Sequence, residues 1–433
     1  MRMFIAVAFL VFAMAQASAQ ELKLNVEKYK LKNGMTVLLH KDNRVPMVTV
    51  NQWYHVGSYD EEPHHTGLAH FFEHLMFKGT KKYASGSFDA ILTELGASNN
   101  AFTSSDYTGY YEMLPAAGLE KVLELEADRM VNLTLDMDEI QKEREVVKEE
   151  RRMRVDNSPS GLAFETLMGM TFEGHPYGWS VIGSMDHLNA TSMDDFKAFY
   201  KRYYAPNNSV LVIVGDFNVE QVKNWIDKYY AAIPASEIQK KQPPAFKAQT
   251  ARRYKRIEKF DTRMQGIFFR VPGIGQKDAY VLDILAEALG GGEDSRLHKS
   301  LVDKMRLASN VSAWNYSLNH SGVLGLNINM IGKSRFDLVE SEILRELEGI
   351  KQKGLSEIEL KRTKDRIMLD FTTALATGSG KGRVLAATEL IRGDYKEFFN
   401  DLKVYESVTN DEIKQAAKKY LSRNQANVLS LGK

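Results

Sequence analysis

Two histidines and a glutamate lie close together in one segment of this chain. His70, Glu73 and His74 occupy five consecutive positions in the order His-x-x-Glu-His. On a helix, residues four apart are rotated by about 40° and separated by about 6 Å, so the two imidazoles can bind one ion. An ion that lowers the pKa of a bound water molecule toward about 7, beside a carboxylate that takes the proton, provides what amide hydrolysis needs.

The alternative is a chance pattern, because two histidines on a helix can simply be surface residues. The residues around the three polar groups are apolar and argue against a solvated face; they are Leu68, Ala69, Phe71, Phe72, Leu75 and Met76. Histidine and glutamate side chains among apolar neighbours need partners. We therefore expect a metal site at His70 and His74.

A third protein ligand is expected, and the chain has no cysteine that could supply it. Residues 138–155 read as a charged helix in which Glu143 and Glu150 are seven apart. They lie within about 20° of the same helix face, so one can be a ligand while the other orients it or a histidine. Spacing alone leaves the choice open, because the same acids would suit a solvated surface.

The first residues have the pattern of a secretory signal peptide. Arg2 precedes an uncharged apolar run at 3–15 that is too short to span a bilayer, and Ala17-Ser18-Ala19 resembles a cleavage site. We expect residues 1–19 to be removed and the mature protein to be periplasmic, with an N-terminal membrane anchor as the alternative. No later stretch approaches 18 apolar residues, so no membrane span is expected in the mature chain.

Length and charge exclude other classes. The chain has 433 residues, which favours two or more folded units over one. Lys and Arg total 57 against 56 for Asp and Glu. This balance provides no electrostatic attraction to nucleic acid.

An internal repeat divides the chain. Residues 191–215 align without a gap with residues 408–432, and both segments read as a capped helix, a turn and an apolar strand. Structural coincidence is the alternative to homology. We interpret the repeat as two homologous halves, residues 20–235 and 255–433, joined by a proline-containing linker at 236–254.

Each half is predicted to have an α+β fold. Asn33-Gly34 between strand-like flanks indicates a hairpin, and residues 47–56 indicate a third strand. Helical patterns alternate with short amphipathic strands, which favours a mostly antiparallel sheet packed by helices.

Taken together, the motifs resemble the pitrilysin or insulinase family of zinc peptidases, the inverzincins, in particular its short bacterial and mitochondrial-processing-peptidase-like members. The resemblance covers nearly the whole mature chain. Its motifs lie at 57–61, 66–80, 100–103, 143–150, 203–208 and 214–216.

The resemblance implies a zinc endopeptidase that encloses unfolded peptides in a clamshell. It implies that His70, His74 and Glu150 bind Zn2+, that Glu73 is the general base acting on the metal-bound water, and that Glu143 supports the site. Cobalt or manganese could occupy the same ligands. The resemblance also makes Asn100, Ala101, Phe102 and Thr103 the edge strand on which an extended peptide substrate is bound by β-augmentation.

The second half departs from the family pattern. Self-sufficient members have an Arg and a Tyr that bind the substrate backbone, and here Val302 and Ser309 stand at those positions. We therefore expect a heterodimer in which a homologous partner subunit supplies the Arg/Tyr pair. The alternative is a homodimer in which Arg296, Arg306 or Tyr316 does this work.

Two other functions compete with catalysis. One is a non-catalytic core or scaffold subunit of the same fold, which usually lacks part of the metal set. The other is a peptide-binding periplasmic chaperone, which would not require Glu73. The complete set of His70, Glu73, His74 and Glu150 favours the peptidase.

Overall fold

The computed structural model describes residues 23–238 and 241–433, so the predicted signal peptide at 1–19 lies outside the described residues. The described chain forms two β-sheets with helices packed on both. This arrangement confirms the α+β class and the two halves predicted from the sequence. We call the elements up to Tyr230 the first half and those from Arg253 onward the second half.

The first half contains a six-stranded sheet. Its strands are β1 (Glu27–Lys30), β2 (Thr36–Lys41), β3 (Met47–Tyr54), β4 (Ser98–Thr103), β5 (Thr108–Pro115) and β6 (Ser209–Gly215). They lie in the order β1-β2-β6-β3-β5-β4, in which β2 and β6 are parallel and the other four neighbouring pairs are antiparallel. The predicted hairpin joins β1 and β2, with Gly34 at φ +95° in its turn.

The second half contains a five-stranded sheet that repeats this topology. Its strands are β7 (Arg253–Ile257), β8 (Met264–Val271), β9 (Ala308–Ser317), β10 (Gly322–Met330) and β11 (Asn427–Leu431). Their order is β7-β11-β8-β10-β9, with β7 and β11 parallel. This is the order β2-β6-β3-β5-β4 of the first sheet, with the parallel pair in the same place.

The helices surround these sheets. The first half has α1 (Leu68–Leu75), α2 (Ser87–Glu94), α3 (Leu119–Asn132), α4 (Met137–Arg151), α5 (Pro159–Thr171), α6 (Met185–Ala190), α7 (Met193–Tyr203) and α8 (Val219–Tyr230). The second half has α9 (Lys277–Gly290), α10 (Phe336–Lys353), α11 (Glu357–Ala374), α12 (Gly378–Arg392), α13 (Glu397–Ser407) and α14 (Asn410–Tyr420). Short π-helices follow α4 at Arg152–Asp156 and precede β9 at His298–Lys304.

The aligned repeat segments adopt the same structure. Ser192 and Thr409 each cap an eleven-residue helix, α7 and α14, and each forms a capping box with the acid three residues later. A 3-10 turn and a buried strand follow in both halves. Gly215 and Gly432 end the strands with positive φ, a conformation that favours glycine.

Each sheet buries one face against helices of its own half. In the first half Val50 and Ile213 pack in a core that includes Phe72 of α1. In the second half Ile267 packs in a separate core with Leu285 of α9. The period-2 alternation of strands and the apolar stripes of the helices account for both cores.

The other face of each sheet is covered by a helix from the opposite half. Helix α12 packs on β3 and β6, where Leu385 joins a cluster with Trp53. Helix α5 packs on β8 and β11, where Leu167 joins a cluster with Phe268. Because this exchange buries apolar side chains of both halves together, separating the halves would expose two cores to water.

The predicted linker at 236–254 carries no helix or strand at 236–238 and 241–252, and its last two residues, 253 and 254, belong to β7. Lys241 nevertheless fixes it to the first half, because its Nζ donates to the carbonyl oxygens of Asp60 and Glu61 at 2.7 and 3.0 Å. In the part of the chain that the structure describes, none of the helices has the length and hydrophobicity of a membrane span.

Candidate metal centre

Helix α1 carries the three residues of the His-x-x-Glu-His pattern. Gly67 precedes it with φ +99°, a left-handed conformation that a side chain would strain. The buried carboxylate of Glu61 accepts the backbone N–H groups of Gly67 and Ala69 at 2.9 and 2.8 Å. Two otherwise unpaired donors at the helix start are satisfied in this way.

Helix α4 supplies the acidic side chains. Asp136 caps it by accepting the N–H groups of Asp138 and Glu139. Val147, on its apolar side, is buried in the first core. Glu143 and Glu150 lie on the side of α4 that packs against α1, as their spacing of seven allows.

The structure brings the side chains of His70, His74 and Glu150 together. Their ligand atoms all lie within 4.8 Å of one another, and Glu150 Oε2 is 3.5 Å from His70 Nε2 and 3.2 Å from His74 Nε2. A tetrahedral zinc ion with bonds of about 2.1 Å separates its ligand atoms by about 3.4 Å. Glu150 Oε2 is buried, with the Nε2 atoms of both histidines as its neighbours. Two imidazoles and one carboxylate therefore fit zinc and leave a coordination position open.

The neighbouring acid, Glu149, lies on the other side of α4. Its carboxylate is exposed and pairs with Arg152 at 2.8 Å. The two adjacent glutamates thus have different environments, and Glu150 is the one that lies against the histidines.

Glu143 lies behind His74 rather than beside His70. Its Oε1 accepts from His74 Nδ1 at 2.8 Å, and its Oε2 is 2.5 Å from Lys78 Nζ. A hydrogen bond to Nδ1 fixes the ring and directs Nε2 toward the place where a metal would bind. This position corresponds to the supporting role expected for Glu143.

The local environment gives the two histidines different charge states in the metal-free chain. Burial, together with the positive charge of His74, lowers the pKa of His70 to about 4, so its imidazole is neutral. Burial also disfavours the charged form of His74, but hydrogen bonds to Glu143 and Glu150 outweigh it and raise its pKa to about 9. A hydrogen bond from His74 lowers the pKa of Glu150, which stays ionised.

Glu73 lies next to His70, His74 and Glu150 but is not one of the three residues whose ligand atoms converge. Burial raises the pKa of Glu73, and the hydroxyl of Thr103 opposes the shift by donating to Oε2 at 2.5 Å. Oε1 of Glu73 accepts no hydrogen bond from a side chain among the described residues. A half-buried carboxylate with a raised pKa is suited to accept and return a proton.

The residues expected to bind substrate form the exposed edge of the first sheet. Asn100, Ala101, Phe102 and Thr103 are the last four residues of β4, which pairs with β5 on one side only. The hydroxyl contact between Thr103 and Glu73 places the end of this edge strand beside the candidate metal ligands.

The second half holds neither side chain of the expected Arg/Tyr pair. Val302 lies in the π-helix before β9 and packs against the second core. Ser309 donates its hydroxyl to the carbonyl oxygen of Asn329, at 3.3 Å. Both residues therefore make their contacts within the second half.

The three suggested substitutes differ in position. Arg296 makes a bidentate ion pair with Glu359, at 2.8 Å for each bond, so its donors are engaged. Arg306 adopts a positive φ of 52° at an exposed turn. Tyr316 lines the same cavity as His70.

The sequence analysis did not predict the contacts that three side chains make at this site. They are Lys78, Arg154 and Thr103. Arg154 is four residues after Glu150, so the i, i+4 rule could have found their ion pair. Lys78 contacts Glu143 on a different helix, which spacing does not indicate. Thr103 was expected in the substrate strand, but its bond to Glu73 depends on how β4 packs over α1, which spacing does not indicate.

Comparison with known proteins places the chain in a family. Residues 36–184 match the family described as Insulinase (Peptidase family M16), and residues 191–367 match the Peptidase M16 inactive domain. The chain is 34% identical to zinc protease PqqE of Helicobacter pylori over 435 residues, covering 96% of this chain and 95% of that protein. The crystal structure of a protease from Helicobacter pylori superimposes with a TM-score of 0.89 at 30% identity, covering 95% of this chain and 100% of that one.

A larger relative shares the fold. The periplasmic protease PqqL from Escherichia coli superimposes with a TM-score of 0.78 at 20% identity, over 95% of this chain and 48% of that one. The combined matches extend over both sheets and over the segment that carries His70, Glu73, His74 and Glu150. The chain therefore belongs to the insulinase family of zinc peptidases, peptidase family M16.

Proposed function

We propose that this protein is a zinc metallo-endopeptidase that hydrolyses peptides or unfolded segments. The observation that carries the proposal is the convergence of three ligand atoms within 4.8 Å of one another, with a fourth group, Glu73, beside them. Two neighbouring imidazoles and a carboxylate that converge in this way are the ligand types and number that a zinc ion takes.

In this proposal His70, His74 and Glu150 hold Zn2+. When bound, zinc would polarise the scissile carbonyl and lower the pKa of a water molecule. Glu73 takes the proton from the attacking water and returns it to the leaving amine, as its raised pKa favours. Glu143 holds the ring of His74 in position through Nδ1.

The exposed edge of β4 would bind the substrate as an added strand. Main-chain hydrogen bonds along residues 98–103 supply affinity with little demand on sequence. Because this edge ends at Thr103, beside Glu73, a peptide lying on it would bring a backbone carbonyl to the metal.

We also propose that the enzyme acts as the zinc-bearing subunit of a heterodimer. Val302 and Ser309 make contacts inside the second half, so this chain supplies no Arg/Tyr pair at those positions. The exchanged helices α5 and α12 fasten its two halves together, so a chamber that opens to admit substrate is better formed between two subunits. A homodimer that uses Tyr316 is the alternative.

The subunit arrangement can be tested directly. Native mass spectrometry of the complex purified from its own host should find a homologous second chain. Robust peptidase activity from the recombinant chain alone would contradict the heterodimer. The signal peptide and the periplasmic location remain proposals from the sequence, tested by the N-terminus of the mature protein.

Glu73→Gln tests the catalytic assignment. It should lower peptide hydrolysis by about 10²–10⁴-fold while one zinc per chain and peptide binding persist. The control is Glu149→Gln, which replaces an exposed acid on α4 that pairs with Arg152 and should leave turnover unchanged.

The same experiment separates the competing functions. A scaffold subunit would show no stoichiometric metal and no hydrolysis in either variant. A chaperone would bind peptide equally well with Gln or Glu at position 73 and would hydrolyse with neither. Unchanged turnover in Glu73→Gln would refute the role of Glu73.

A further inference from the structure

A pocket of about 430 Å³ lies in the second half, beside β7. Its walls come from β7, from Ser430 of β11 and from the segment that leads from β10 into α10. None of the described residues that line it also lines the cavity beside His70. The pocket is therefore separate from the site proposed for hydrolysis.

Positively charged side chains dominate the lining of this pocket. Five cationic and two acidic residues line it, namely Arg252, Arg256, Arg263, Lys333 and Arg335, with Asp337 and Glu340. Cations that outnumber acids around a concave surface attract anions to it. The pocket thus favours a negatively charged ligand.

Three of the five cations already have acidic partners. The pairs are Arg252 with Glu340, Arg335 with Asp337 and Arg256 with Glu258. Arg263 has no acidic side chain as a partner among the described residues; it donates to the main-chain oxygens of Lys433 and Ser334, and its Nε is buried without an acceptor. Lys333 is exposed and makes no ion pair within the described part of the chain. Two positive charges thus remain for an anion.

Arg256 and Arg263 are both held against one aromatic ring. Their Cζ atoms lie 5.0 and 4.4 Å from the ring centroid of Phe336, the first residue of α10. Stacking on a ring orients a guanidinium group without using its N–H donors. Two positive charges that share one ring also repel each other, and an anion beside them relieves this repulsion.

A buried hydroxyl group without a partner also lines the pocket. Ser430 is 0% exposed, and its Oγ makes no hydrogen bond to the described residues. Gln265 pairs with Ser430 across the sheet, is equally buried, and its side-chain amide likewise has no partner in the described chain. Buried polar groups are normally hydrogen-bonded, so these two side chains point to a polar ligand at this place. A merely solvated patch of cations would have no use for them.

We infer that this pocket binds phosphate, either free or as the phosphate group of a small molecule. Arg263 and Lys333 supply positive charge, while the hydroxyl of Ser430 and the amide of Gln265 can donate to further oxygens. Four separate donors suit phosphate, which offers more acceptor oxygens than a carboxylate.

The volume of the pocket leaves room for an organic group attached to the phosphate. Tyr254 also lines the pocket, so its ring offers such a group an apolar surface. The inference does not depend on the proposed peptidase function.

Titration with two phosphate compounds tests the pocket without requiring turnover. Inorganic phosphate and phenyl phosphate would be added to the zinc-loaded full chain in a calorimeter, at an ionic strength held constant with chloride. We expect saturable binding of one phosphate per chain. Tighter binding of phenyl phosphate identifies an organic phosphate as the ligand class, and tighter or equal binding of inorganic phosphate identifies the free ion. Absence of saturable binding by both compounds would overturn the inference.

Variants of the pocket locate the bound phosphate. Ser430→Ala should weaken binding by about tenfold or more, because a hydrogen bond to a charged group is lost. The same variant should unfold at the same urea concentration as the ligand-free wild-type protein, since the hydroxyl has no partner there. Lys333→Gln, at an exposed position, should weaken binding by about threefold. Lys255→Gln is the matched control, because it removes an exposed positive charge of β7 that does not line the pocket.

The outcomes separate this pocket from the metal centre. Unchanged phosphate affinity in both Ser430→Ala and Lys333→Gln would overturn the inference, and so would an equal loss in Lys255→Gln. Binding that disappears when zinc is removed would place the phosphate at the metal and would also overturn it. Phosphate binding that depends on Ser430 in a protein without peptidase activity supports the pocket and counts against the proposed function alone.

Discussion

Glu143 Oε1 lies 2.8 Å from His74 Nδ1, on the side of the ring opposite to Glu150. His74 therefore lies between two carboxylates, one that orients it and one that shares its proposed metal. Lys78 binds the second oxygen of Glu143 at 2.5 Å, so the orienting carboxylate is itself held in place. The site thus consists of an inner group of proposed ligands and an outer pair that fixes the geometry of His74.

Replacing Glu143 should weaken metal binding. We expect Glu143→Ala to lower zinc affinity by about 10–100-fold, because the ring of His74 loses its acceptor. Competition with a chromogenic chelator measures the dissociation constant. Glu145→Gln, an exposed acid on the same helix, is the matched control and should change affinity little. Equal affinities in Glu143→Ala and the wild-type protein would contradict the orienting role.

Glu61 should stabilise the helix that carries both histidines. Its two carboxylate oxygens accept the N–H groups of Gly67 and Ala69, and an amide at this place offers a single acceptor. Glu61→Gln should lower the free energy of unfolding by about 1–3 kcal/mol, measured by urea titration. Glu62→Gln, at the exposed neighbouring acid, should cost less than about 1 kcal/mol. Similar losses in the two variants would show that Glu61 does not cap α1.

The sequence could predict those features of the structure that depend on residues close together in the chain. The capping boxes of Ser192 and Thr409 and the turn at Gly34 depend on residues within a few positions of one another, so the repeat and the hairpin could be recognised. The pairing of His70 with His74 follows from helix geometry alone. Each of these features needs no knowledge of distant packing.

The remaining features depend on contacts between distant segments. Glu143 and Glu150 share one helix face, and the crossing of α1 over α4 decides which of them reaches both histidines. The exchange of α5 and α12 between the halves has a faint signal, since all seven residues of β6 are buried and a strand covered on both faces reads as a continuous apolar run. That run does not indicate which helix provides the second cover.

The packing of α12 on the first sheet should depend on Gly382, which lies at the contact of this helix with β3. A Cβ at this position would overlap the side-chain amide of Asn51, whose two polar atoms are buried without a partner among the described residues. Gly382→Ala should therefore lower the free energy of unfolding by about 1–3 kcal/mol. Thermal and urea denaturation measure the loss.

A double-mutant cycle tests this contact. Asn51→Ala alone removes an unsatisfied amide, and Gly382→Ala in that background should cost much less than in the wild-type chain. Gly349→Ala on α10 is the control, because an added Cβ meets nothing within 4 Å, and it should be neutral or stabilising by about 0.5–1 kcal/mol. Strict additivity of the two changes would contradict the proposed overlap.

Asp283 should make stability fall as the pH rises. Burial raises the pKa of its carboxyl from 3.8 to about 6, despite hydrogen bonds from Tyr405 at 2.5 Å and from Asn315 at 2.9 Å. The nearby negative charge of Asp401 raises it further. Because the folded state binds this proton more tightly than the unfolded state, its contribution is full below about pH 4 and is lost as the pH rises through about 6.

The variant Asp283→Asn carries no titrating group, so its stability relative to the wild-type protein should increase by up to about 3 kcal/mol between pH 4 and 7. Asp278, on the same helix, provides a control of opposite sign. Burial disfavours its ionisation, but hydrogen bonds from Tyr420 and Lys419 outweigh burial and lower its pKa. Asp278→Asn should therefore lose relative stability as the pH rises toward about 4. Urea titrations that extend from below pH 4, where Asp278 titrates, up to pH 7 measure both differences. Slopes of the same sign for the two variants would show that the carboxyl of Asp283 is not the buried, proton-binding group.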